Sequence, residues 1–73
     1  MMGVERDHLA QALRHIEHAE QRVVDQRALI ERMVQHGLDT KMAEVLLATM
    51  LSSLERMHDH RKAIEAAIAE GRE

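Results

Sequence analysis

Six histidines, at positions 8, 15, 18, 36, 58 and 60, are the residues whose chemistry reaches beyond packing. An imidazole can ligate a transition metal, carry a phosphoryl group or titrate near neutral pH. His15 and His18 stand three apart, so a helix makes them neighbours on one side. Together with His58 they are the candidate metal ligands of the chain. Protonating all six would move the formal charge from −3 to +3, which is the arithmetic of a pH switch.

Glu55-x-x-His58 and Glu5-x-x-His8 have the carboxylate–imidazole spacing that lines the core of two-metal helical bundles, and Glu20 could serve as the lone carboxylate in a homodimer. Direction argues against such a centre. Leu54 and Met57 occupy the packing seam, which turns Glu55 roughly 130° away from it, and His18 and His60 also point to solvent. Glu5 and His8 lie near a helix end that frays. No metal and no cofactor is therefore assigned. His15 on a hairpin resembles the histidine-kinase dimerisation and phosphotransfer domains in architecture only, because His15-Ile16-Glu17-His18-Ala19 lacks the proline that follows the phosphorylated residue there. No nucleophile–base arrangement, P-loop or dinucleotide turn is present, and the chain is read as non-enzymatic.

The elements that hold these side chains follow from periodicity. Leu9, Leu13, Ile16, Glu20, Val23, Arg27, Ile30 and Val34 alternate steps of four and three, and the same stepping resumes at Ala43, Leu47, Met50, Leu54, Met57, Arg61, Ile64 and Ile68. Between them lies His36-Gly37-Leu38-Asp39-Thr40. This predicts an all-α, antiparallel two-helix hairpin as a single domain over 1–73: helix 1 about 4–36, turn 37–39, helix 2 about 40–70. Gly3 or Asp7 can start helix 1. Gly37 suits the left-handed end of helix 1, Asp39 or Thr40 caps helix 2 with Leu38 stapled over Ala43, and Gly71 ends it. Counting outward from the turn pairs Val34 with Ala43, Ile30 with Leu47, Val23 with Leu54, Leu13 with Ile64 and Leu9 with Ile68.

Glu20, Arg27 and Arg61 interrupt this ladder. They are the candidate specificity residues, with Glu20 paired to Arg61 in its own chain or to Arg27 of a partner; polar residues at seam positions set register and partner choice in coiled coils. The apolar face of helix 2 is wider than a two-helix seam requires, with Leu46 and Leu51 on its flanks. Leu46, Met50, Leu51, Leu54, Met57, Ile16, Val23 and Ile30 are thus read as core and dimer residues of a four-helix bundle built from two hairpins.

Composition points the same way. A chain of 73 residues with no Phe, Tyr, Trp or Cys has small core side chains and no disulfide, and chains of this size bury only about 60% of their unfolded surface. A homodimer is the simplest extra source of burial, with a further protein partner open. The absence of cysteine fits the cytoplasm. No apolar run approaches the roughly 20 residues of a membrane span. Met1-Met2-Gly3-Val4 lacks both the layout of a signal peptide and a sound myristoylation site. Residues 1–37 carry five basic and six acidic side chains, and residues 38–73 five and seven. A hairpin-dimer RNA-binding protein would need a basic outer face, but Asp7, Arg14, Gln21, Asp25 and Arg32 are mixed in sign, and aromatic stacking residues are missing.

The run from His15 to Arg32, the Gly37-Leu38-Asp39-Thr40 turn, Ala43-Glu44-Val45-Leu46-Leu47 and His60-Arg61 resemble a group of short helical-hairpin proteins of rhizobia and related alphaproteobacteria. The resemblance covers about residues 8–64. It implies the hairpin and a bacterial, cytoplasmic setting. No function is attached to the group, and it implies no site residues.

Overall fold

The computed structural model describes residues 3–71; Met1 and Met2, considered above for targeting signals, lie outside them. It is a hairpin of two helices, α1 (Val4–Gln35) and α2 (Lys41–Ala69), packed along their lengths. Gly3, with φ 93°, is the residue before α1, and its carbonyl accepts the first helical bond from Asp7 N–H at 2.7 Å. Asp7 therefore lies inside the first turn, where its charge favours the helix N-terminus.

The turn between the helices is built as its residues dictate. Gly37 takes φ 68°. Leu38 N–H reaches back to Met33 O at 2.9 Å and Gly37 N–H to Val34 O at 3.0 Å, the paired bonds that close a helix on a left-handed residue. Asp39 Oδ1 then accepts from Lys41 N–H at 2.9 Å, while the Thr40 hydroxyl donates to Glu44 Oε2 at 3.0 Å. Thr40, the residue before α2, makes no side-chain bond to the helix amides, and Asp39, one residue earlier, accepts from the first of them instead. Leu38 remains exposed, so the staple expected over Ala43 buries little.

The seam on α2 is the expected row, with Ile64 the most deeply buried member. The seam on α1 is rotated relative to the expected ladder. Ile16 and Val23 are buried as anticipated, and Leu9 and Ile30 partly so, but the alternating partners are Ala12, Ala19, Gln26 and Met33 rather than Leu13, Glu20, Arg27 and Val34. Leu13 is 47% exposed and Val34 63%. Two causes act together. Ala12 and Ala19 let the two backbones approach closely, and the rotation leaves Glu20 and Arg27 in water, avoiding the large cost of burying charge. Gln26 reaches along the seam to Ala43, its Nε2–H donating to the Ala43 carbonyl at 2.9 Å, while Ile30 and Leu47 line one depression as the counting from the turn expects.

The result is a rod of 56 × 15 × 13 Å with a radius of gyration of 16.7 Å, where a compact chain of this length would have about 11 Å. Its accessible surface is 5553 Å², against about 4,600 Å² expected from the mass. Among the described residues no side chain is fully buried, and the buried apolar ones are Ala12, Ile16, Val23, Ile64 and Ala67. No described helix is long and apolar enough to cross a membrane.

Candidate functional site

The rotated seam gives the rod two unlike flanks. On one, residues a heptad apart on α1, His8, His15 and Arg22, face a row on α2 containing Leu46, Ser53 and His60. Because Ala12, Ala19 and Ser53 are small, the helices leave an open groove between these rows, with Met50 and Met57 contributing its floor. Arg56 and Arg22 stand on its rim, and Arg56 Nη2–H donates to Ser53 Oγ at 3.1 Å. At its far end Glu5 Oε1 lies 3.2 Å from His8 Nδ1.

The other flank is a run of paired charges. Arg61 Nη1–H donates to Glu65 Oε1 at 2.6 Å, and Arg61 Nε–H reaches His58 Nδ1 at 3.4 Å. His58 Nε2 lies 3.8 Å from Glu20 Oε2. The expected Glu20–Arg61 pair is therefore replaced by a chain in which His58 stands between them. The rotation of α1 carries Glu20 out of the seam and onto the flank of His58. Arg27 lies on this flank beside Ile30, Glu44 and Leu47. Glu20 and Arg27 are thus flank residues, whereas Arg61 keeps its seam position with its head turned out to Glu65.

These placements separate the candidate ligands. His15 belongs to the groove, His58 to the opposite flank, and His18 is exposed beyond the rim. Among the described residues no three of His, Cys, Asp and Glu come together in a way that would hold a metal ion. The histidine that shares the groove with His15 is His60, with His8 at the end of the same depression. No family model, characterised protein or solved structure matches the chain. The surface itself is therefore the guide to function.

The assembly residues divide in an informative way. Ile16 and Val23 are buried, and Ile30, Met50, Leu54 and Met57 are half-buried in the seam. Leu46 and Leu51 remain 48% and 38% exposed on opposite flanks, Leu46 on the groove side and Leu51 beside His58. Gln26 was not anticipated at all. It is the one buried polar side chain among those described, and its signal was its row: it continues the spacing of Ala12 and Ala19 towards Met33.

Proposed function

We propose that this chain is a small non-enzymatic interaction protein whose hairpin is completed by a second copy into a four-helix bundle, and which acts through its helical surfaces. The observation that carries the reading is the unmet burial of the lone hairpin. About 900 Å² more surface is exposed than a chain of this mass ordinarily leaves in water, and Leu46, Leu51, Leu29 and Met42 are among the exposed apolar side chains. A bacterial cytoplasm is the setting supported by the resemblance noted above and by the absence of cysteine. Glu20, Arg27 and Arg61 are the proposed specificity residues, now for whatever protein meets the charged flank.

Native mass spectrometry of the untagged protein tests this directly, because it reports subunit number and bound metal together. The expected result is a metal-free dimer of twice 8.4 kDa. A monomer at concentrations of tens of micromolar, which corresponds to a contact weaker than about −6 kcal/mol, would overturn the bundle. A mass excess of whole metal ions would instead favour a metal-handling bundle, a second reading supported by the shared depression of His15 and His60.

A further inference from the structure

The two flanks are not equivalent as places for a second hairpin. Covering the charged flank would bury exposed Leu13, Val34 and Leu51, but it would also take Glu20, Arg27 and the Arg61–Glu65 pair out of water, and an ion pair already formed returns little when buried. The groove flank has no such network. Its open seam over Ala12, Ala19 and Ser53 continues towards the turn past exposed Leu46, and Leu29 lies one heptad beyond Arg22 on the same row. Arg22 and Arg56 sit at the rim, where their stems can lie over a neighbour while their charged heads remain hydrated.

We infer that a second copy of this chain seats its own groove flank on this one, about a two-fold axis passing near Ser53; the assignment rests on the bundle reading above. Area supports this occupant. Summed over the whole hairpin, the surplus of about 900 Å² is close to the roughly 800 Å² that each partner contributes to a standard stable interface. A two-fold contact uses the same patch on both copies, and Ser53 lies midway between Leu46 and His60, the ends of the α2 row that lines the groove.

The test compares Leu46→Arg and Ser53→Arg with Leu51→Arg by sedimentation equilibrium, read with interference optics because the chain lacks aromatic absorbance. Leu46 and Leu51 are exposed and Ser53 is half-buried on the groove wall, and far-UV circular dichroism checks that each variant keeps its helices. The groove variants are expected to raise the dimer dissociation constant at least about tenfold, and Leu51→Arg to change it by no more than about twofold. A dimer broken by Leu51→Arg and indifferent to both groove variants would assign the other flank. A dimer indifferent to all three would also overturn the proposal, whereas a monomeric wild type removes the bundle reading itself. Should a groove variant lose helix, Ser53→Cys and Leu51→Cys give a second readout in this cysteine-free chain. A short bismaleimide should link Ser53→Cys into dimers and leave Leu51→Cys monomeric, and the reverse pattern would overturn the assignment.

Discussion

Ala12 and Ala19 decide which side of α1 meets α2. Each is a small side chain between larger ones, and the helices close over them rather than over Leu13 and Glu20. The energetic consequence is that nearly identical apolar residues carry very different weight. Ile16, 5% exposed, should lose roughly 2–4 kcal/mol on replacement by Ala, whereas Leu13→Ala should cost under about 1 kcal/mol. Urea denaturation followed at 222 nm measures both, at a concentration low enough to hold the monomer; equal losses would place Leu13 in the seam after all. Glu20→Leu is expected to leave assembly intact, because Glu20 is exposed and its partner His58 lies 3.8 Å away on the flank that the second copy leaves open. Native mass spectrometry of that variant checks it, and loss of the dimer would restore Glu20 as a determinant of assembly.

At the scale of elements, the turn carries the most specific instruction in the chain. Gly37 at φ 68° has open space where a Cβ would stand, so the obstacle to any other residue there is the backbone conformation alone. Gly37→Ala should cost about 1 kcal/mol, and Asp39→Ala a similar amount through the lost cap, both read as a lower thermal midpoint. These features were legible because each is local: a glycine stop, a short polar cap and the resumed apolar period name the hairpin without knowledge of its partner helix. The seam of α1 was less legible. Two ladders one residue apart on alternate steps, one through Leu13 and Glu20 and the other through Ala12 and Ala19, share Leu9, Ile16, Val23 and Ile30, and hydrophobicity favours the first. Close backbone approach and the cost of burying Glu20 and Arg27 favour the second, and neither can be read from apolar character alone. Gln26 escaped for the same reason, since its burial depends on a carbonyl 17 residues away. The groove between His15, Ser53 and His60 is a product of that rotation.

At the scale of the whole molecule, the rod is thin enough that every residue lies near water, and the stability of the lone hairpin must be marginal. Thermal midpoints should therefore rise with protein concentration, as mass action requires when only the folded chain can associate. A scan across a hundredfold dilution measures this, and a constant midpoint would mean that the hairpin stands alone. Charge is divided unevenly across the rod: Arg22 and Arg56 stand on the groove rim, whereas on the other flank Arg27 and Arg61 are offset by Glu20, Glu44 and Glu65. Two copies that meet groove to groove bring Arg22 and Arg56 of both chains towards one another. Their encounter is opposed before any contact forms, and added salt should speed it by shortening the reach of that repulsion to about 8 Å at physiological ionic strength. Assembly of this protein would then be governed in its rate by ions that take no part in the assembled structure, with the sign opposite to that of pairs drawn together by complementary charge.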